Sequence, residues 1–108
     1  MGGSDLIKYL TDDTFDKEIS NGVVLVDFYA DWCGPCRMLT PVVEALAEEM
    51  QGKITVAKID TDQAMHTSEK YEVTSIPTLI LFKEGKLFKR VVGLKDLDTL
   101  RDLVNEAV

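Results

Sequence analysis

Both cysteines of this chain lie in one stretch, VVLVDFYADWCGPCRMLTP at residues 23–41, as Cys33 and Cys36. Two thiols at that spacing have three chemical uses. They can cycle between dithiol and disulfide, supply half of a zinc site, or sit inert in a core. A closed structural zinc site takes four ligands, and the rest of the chain offers no further cysteine and one histidine, His66, in a polar segment. No metal is therefore expected. Inert thiols would leave the spacing, at the junction of an apolar run and a helix-like pattern, without a reason. Redox chemistry supplies one. Cys33 comes just before a helix, where unpaired backbone N–H groups and the helix dipole favour an anion. A thiolate there is stabilised, its pKa falls, and it becomes the attacking group. Pro35 suits the first helical turn, where its missing donor costs little, and Gly34 completes the dipeptide between the sulfurs. Cys36 then stands one turn in, placed to resolve a mixed disulfide and close a small ring.

The same stretch carries a charge where a hydrophobe is expected. Asp27 interrupts the run Val23 to Ala30, which is otherwise apolar at nearly every position. It either reaches solvent from the strand or is desolvated, and a desolvated carboxyl has a raised pKa and accepts a proton near neutrality. The second reading puts a proton acceptor for Cys36 beneath the thiols. Lys58, in TVAKID, reads either as a lysine snorkelling from its strand or as a charge tuning Asp27.

These residues need a scaffold, and the hydrophobic pattern provides one. Residues 5–10 read as a first strand and 11–20 as a short amphipathic helix carrying Phe15 and Ile19. The run at 23–30 reads as a strand buried on both faces. Leu39, Val42, Val43, Leu46, Ala47 and Met50 share one helical face, with Pro41 inside the pattern as an expected kink and Gly52 as a stop. A strand follows at 53–60 and a short polar helix at 61–71. Two β-rich runs within 78–93 meet at Glu84-Gly85, a hairpin signal, and Pro77 stands at the head of the first. Leu97, Leu100, Leu103, Val104 and Ala107 line a last helix. Helical crossovers imply parallel pairing in the first half, and the hairpin adds antiparallel strands. The expected architecture is α/β, a three-layer α/β/α arrangement around a mixed five-stranded sheet with four helices.

Bulk properties bound the possibilities. At 108 residues, 45% hydrophobic and 29% charged, the chain reads as one globular domain over 1–108, with residues 1–4 (MGGS) set aside as a disordered or cloning-derived lead-in. A net charge of -7 with no basic stripe disfavours nucleic acid as a partner. Neither a secretory signal nor an apolar stretch of bilayer length is encoded, so no membrane association is expected. A cytoplasmic location follows as the default, and there a cysteine pair is more often catalytic or metal-binding than structural.

VLVDFYADWCGPCRMLTPVVEALAEE closely resembles the active-site region of the thioredoxin family, whose hallmark is W-C-G-P-C. LTDDTFDKEI, GKITVAKIDTDQ, SIPTLILFKEGK and VVGL extend the resemblance over nearly the whole chain. The resemblance implies the thioredoxin fold and a protein-disulfide reductase active in cell redox homeostasis. Cys33 would be the nucleophile and Cys36 the buried resolving thiol. Asp27 matches the family's buried aspartate, and Pro77 its cis-proline facing the disulfide. Ile76 would offer backbone to an extended substrate, and Trp32, Gly34, Pro35, Ile76, Val92 and Gly93 would form a shallow docking surface. No bound cofactor is implied beyond the Cys33–Cys36 disulfide. Electrons would come from NADPH through a flavin-containing thioredoxin reductase, or from ferredoxin in some organisms. The partners would be that reductase and disulfide-bearing client proteins, met by a monomer. Tyr29 stands where many relatives carry a second tryptophan, Arg37 where lysine is frequent, and Thr74-Ser75 where a glycine commonly precedes the I-P pair. An oxidase or isomerase usually has a different dipeptide between its cysteines. A non-catalytic binding module would use the same apolar surface without turnover.

Overall fold

The computed structural model describes residues 6–108; the MGGS lead-in and Asp5 lie outside the described residues. Nine elements follow in order: β1 (Ile7–Leu10), α1 (Phe15–Glu18), β2 (Val23–Tyr29), α2 (Gly34–Glu49), β3 (Thr55–Asp60), α3 (Met65–Lys70), β4 (Thr78–Lys83), β5 (Lys86–Val92) and α4 (Leu97–Asn105). The strands form one sheet in the order β1-β3-β2-β4-β5. β1 and β2 both run parallel to β3, while β4 is antiparallel to β2 and to β5. This is the mixed α/β/α architecture that the alternation of patterns implies.

Side chains alternate across a strand, and that alternation sorts the interior into two halves. Leu25, Val56, Leu79 and Leu81 point to the face covered by α2 and α4, where they meet Leu39, Val43, Leu46, Leu100 and Val104. Val24, Val26, Phe28, Ala57, Ile59, Ile80 and Phe82 point to the other face, against Phe15, Ile19 and Ala64. Central strands clothed on both sides explain why β2 and β4 read as nearly unbroken apolar runs. Asp27 and Lys58 belong, by the same alternation, to the α2 face.

Several boundaries differ from the sequence expectation, each for a local reason. The first helix shrinks to Phe15–Glu18 because Thr11 and Thr14 spend the preceding residues on a turn. Their side chains and backbone bond reciprocally, Thr11 N–H donating to Thr14 Oγ1 at 3.0 Å and Thr14 N–H to Thr11 Oγ1 at 3.2 Å. The polar helix expected at 61–71 is Met65–Lys70, preceded by a turn in which Asp62 N–H donates to Asp60 Oδ1 at 2.9 Å. Its start is covered from a distance in sequence, since Asp12 accepts from the backbone N–H groups of His66 (3.3 Å) and Thr67 (2.9 Å). β3 begins at Thr55 and β4 at Thr78, so Pro77 lies just before its strand. α2 carries Pro41 in its interior without ending there.

The hairpin follows its signal. Glu84 (φ 50°) and Gly85 (φ 83°) both adopt left-handed backbone, as a two-residue turn matched to strand twist requires. A glutamate there is unusual. Glu84 is tied down on both sides, its N–H donating to Gly22 O at 2.9 Å and its carboxylate accepting from Gly22 N–H at 3.0 Å.

The α1 face is centred on Phe15, whose ring lies 6.1 Å from Phe28, 5.4 Å from Tyr71 and 5.6 Å from Phe82, centroid to centroid. Phe15 is 1% exposed, and a four-residue helix has little stability of its own. Phe15→Ala is expected to destabilise the protein by about 3–5 kcal/mol in urea denaturation. A cost below about 1 kcal/mol would mean that α1 does not anchor this face.

Candidate active site

The sheet brings one end of four strands together. β2 and β3 finish there, β4 begins there after its antiparallel turn, and β5 finishes there. The thiols sit just past the end of β2. Tyr29 closes that strand, Ala30 O accepts from Cys33 N–H at 3.2 Å, and α2 starts at Gly34. Arg37 braces the loop by donating to Asp31 O at 2.8 Å.

Cys33 is the N-cap of α2, in extended backbone, and its sulfur accepts from the Cys36 backbone N–H at 3.1 Å. A sulfur thus occupies the place where Ser, Thr or Asp usually satisfies an orphan helix donor. Pro35 falls in the first turn, where no partner is lost. Cys33 and Cys36 are joined as a disulfide, with Cα atoms 5.2 Å apart. Both residues are largely buried, Cys33 at 5% and Cys36 at 2% exposure. Cys33 Sγ faces the rim, 3.8 Å from the carbonyl oxygen of Ile76.

Asp27, near the end of β2 on the α2 face of the sheet, is fully buried, and among the described residues neither of its carboxyl oxygens is hydrogen-bonded. Desolvation raises its pKa to about 7, against a smaller opposing pull from the Lys58 charge. Lys58 is its partner in the β2–β3 register and is itself buried. The Lys58 ammonium does not bond the carboxyl. It donates to Thr40 Oγ1 at 3.3 Å and lies 4.5 Å from the centroid of the Tyr29 ring. Thr40 Oγ1 in turn donates to Cys36 O at 3.3 Å. Tyr29 is neutral throughout the physiological range, its phenol pushed up to about 12 by burial and by the Asp60 and Asp31 carboxylates. A cavity of about 90 Å³ lies among Tyr29, Asp31, Cys36, Arg37, Thr40 and Lys58.

The residues expected around the thiols do gather there. Trp32 is 69% exposed, and its indole N–H donates to Asp62 Oδ2 at 2.9 Å. Ile76 is half-buried and packs against the small cluster of Ala30 and the two cysteines. The Ile76–Pro77 peptide is cis. Gly93, at φ 96°, donates its N–H to Pro77 O at 2.8 Å, which fixes the end of β5 against this loop beside exposed Val92. Gly34 is half-buried and Pro35 exposed. Two participants were not singled out by the sequence reading. Thr40 stands four residues after Cys36, one helical turn on, and that spacing was the available signal. Asp62 had no such signal, because its partner Trp32 is distant in sequence.

The sequence model of the thioredoxin family matches residues 6–106. A thioredoxin of Chlamydia pneumoniae is 52% identical over 101 residues, spanning 94% of this chain and 98% of its own. A thioredoxin of Bacillus subtilis is 49% identical over 96 residues, covering 89% of this chain and 92% of its own. Among solved structures, a mutant thioredoxin from Halobacterium salinarum NRC-1 is similar at a TM-score of 0.82 and 47% identity, over 95% of this chain and 91% of that one.

Burial of Asp27 has a thermodynamic consequence whose sign is fixed. Folded, the carboxyl titrates near 7; unfolded, near 3.8. Between these values the folded chain holds the extra proton, so stability is fully present below about pH 4 and is lost as pH rises through about 7. The full effect is about 4 kcal/mol. Asp27→Asn is expected to flatten that descent and to be the more stable protein at pH 8 in denaturant titrations. Parallel wild-type and variant curves from pH 5 to 8 would contradict the assignment.

Proposed function

The chain belongs to the thioredoxin family and is a thiol–disulfide oxidoreductase carrying the Cys33–Cys36 pair, and from that premise we propose how its own residues divide the reaction. In the reduced protein, Cys33 loses its proton to become the thiolate, favoured by the start of α2 and by the Cys36 N–H that already points at its sulfur. The thiolate attacks one sulfur of a client disulfide. A bond forms from Cys33 Sγ to that sulfur, the client S–S bond breaks, and the other client sulfur leaves as a thiolate. Cys36 then gives up its proton and attacks Cys33 Sγ, releasing the second client thiol and leaving the Cys33–Cys36 disulfide. Two electrons have passed to the client.

Asp27 is the proton acceptor for Cys36 in this reading. What supports it is a buried carboxyl with no hydrogen-bond partner among the described residues and a pKa near 7, two residues before the end of the strand that leads to the thiols. Such a group is neutral or charged at little cost either way at physiological pH, which is what a general base requires. Lys58 tunes it.

Client binding is assigned to the rim. Trp32, Gly34, Pro35, Ile76, Val92 and Gly93 offer a mostly apolar, shallow surface for an extended segment with its disulfide over Cys33, while Pro77, expected at that surface, is buried and backs it. Clients that carry disulfides and a reductase that restores the dithiol are what the family uses in general. The finer assignments proposed here are NADPH as the electron source through a flavin reductase, a monomeric state and a cytoplasmic location. No helix among the described residues is long and apolar enough to cross a membrane.

The single observation that carries this reading is the Cys33 sulfur at the N-cap of α2 with Cys36 one turn behind it. Trapping tests it. Cys36→Ser is expected to stop the reaction at the mixed disulfide, with the client attached to Cys33 by mass spectrometry and released by added dithiol. Cys33→Ser is expected to abolish reductase-coupled turnover of a protein disulfide. Adducts at another residue, or turnover surviving Cys33→Ser, would overturn the assignment. Client binding that persists undiminished in Cys33→Ser without turnover in the wild type would favour the binding-module alternative.

A further inference from the structure

Asp27 and Lys58 are register partners on adjacent parallel strands, on one face, in a buried row. An ammonium and a carboxylate so placed would ordinarily pair, since charge-assisted hydrogen bonds are the strong ones. Here they do not. Both Asp27 oxygens lack a partner, while Lys58 Nζ is held by the Thr40 hydroxyl at 3.3 Å and the Tyr29 ring at 4.5 Å. The Thr40 hydroxyl is suited to this because its single proton is committed to Cys36 O at 3.3 Å, which leaves its lone pairs for the ammonium.

We propose that Thr40 is a positioning residue for the proton step: its hydroxyl holds the Lys58 ammonium off Asp27 and ties it to the backbone of Cys36. The proposal rests on the reading of Asp27 as proton acceptor and adds the device that keeps the acceptor unpaired. Position 40 is four residues beyond Cys36, so one helical turn sets both the resolving thiol and the hydroxyl that restrains the lysine. Among the described residues two groups meet the Lys58 ammonium, the Thr40 hydroxyl as hydrogen-bond acceptor and the face of the Tyr29 ring, and of these the hydroxyl is the one that ties it to α2. β3 contributes Lys58 and β4 contributes Leu79, which is uncharged. Tyr29, on the same strand, is neutral. On α2, Thr40 bonds Lys58, while Arg37 is turned to Asp31 O.

The test is direct titration of the Asp27 side-chain carboxyl by carbon NMR in the oxidised protein. Thr40→Val keeps the shape and removes the acceptor for Lys58. Its ammonium is then free to approach Asp27, and the Asp27 midpoint is expected to fall by about one pH unit or more, the size of effect an opposite charge at 4–6 Å produces. Thr40→Ser, which keeps the hydroxyl, is expected to titrate as wild type. In a K58M background, Thr40→Val is expected to leave the midpoint where K58M alone puts it. A wild-type midpoint in Thr40→Val, or an equal fall with and without Lys58, overturns the proposal. The pH–rate profile of client reduction by the reduced protein separates the two layers. A profile that moves with the NMR midpoint supports both. A shifted midpoint with an unmoved profile supports Thr40 as the restraint and overturns Asp27 as the acceptor.

Discussion

The carboxyl of Asp27 is enclosed in the central strand of a sheet covered on both faces, and neither of its oxygens is hydrogen-bonded. Ionised, such a group is costly, because desolvation penalises charge far more than it penalises the neutral acid. Direct pairing with the neighbouring ammonium would relieve the cost and would also bury an ion pair, fixing the carboxyl in its charged state. The fold takes neither route fully. Lys58 stays near enough to pull on the titration and is bonded elsewhere, so the acid is left with its two protonation states close in free energy at neutral pH.

Topology decides which residues can meet this group. Parallel β2 and β3 end at the same edge of the sheet, and the antiparallel turn into β4 brings the Ile76–Pro77 loop and the close of β5 to that edge as well. Ligand sites in open α/β sheets lie outside the strand ends where connections diverge. The helix following β2 therefore opens over the edge, and its first turn carries both sulfurs. Trp32, fixed by Asp62 from the loop after β3, walls one side. Gly93, bonded to Pro77 O, closes the other.

Much of this was legible in the residues, because the informative signals were local. The unbroken apolar runs of β2 and β4, the one-sided stripe of α2 and the Glu84-Gly85 turn each depend on neighbours in sequence. The N-cap role of Cys33 followed from the spacing of two thiols and a proline. Asp27 stood out because it breaks a local rule. What escaped was set by contacts across the chain. The extents of α1 and α3 are trimmed by turns and by the Asp12 cap, formed over more than fifty positions. Lys58 was readable as a tuning charge, but where its ammonium goes depends on Thr40, which comes from another element. Nothing in TVAKID alone reveals that partner.

The two sulfurs of the proposed reaction need different sources of electrostatic help. The Cys36 N–H points at Cys33 Sγ, and with the helix dipole it stabilises negative charge on Cys33 alone. Once Cys33 is bonded to a client sulfur that charge is gone, and the N–H that pointed at Cys33 Sγ belongs to Cys36 itself and is aimed away from its own sulfur. Deprotonating the second thiol therefore takes a base from outside the helix, able to hold a proton at the pH where the first thiol has already lost its own. A surface carboxylate would be too weakly basic, and a lysine too strongly protonated. A buried carboxyl kept from its counter-ion meets the requirement, and the stability it takes from the fold at neutral pH is the same quantity that makes it basic enough to act.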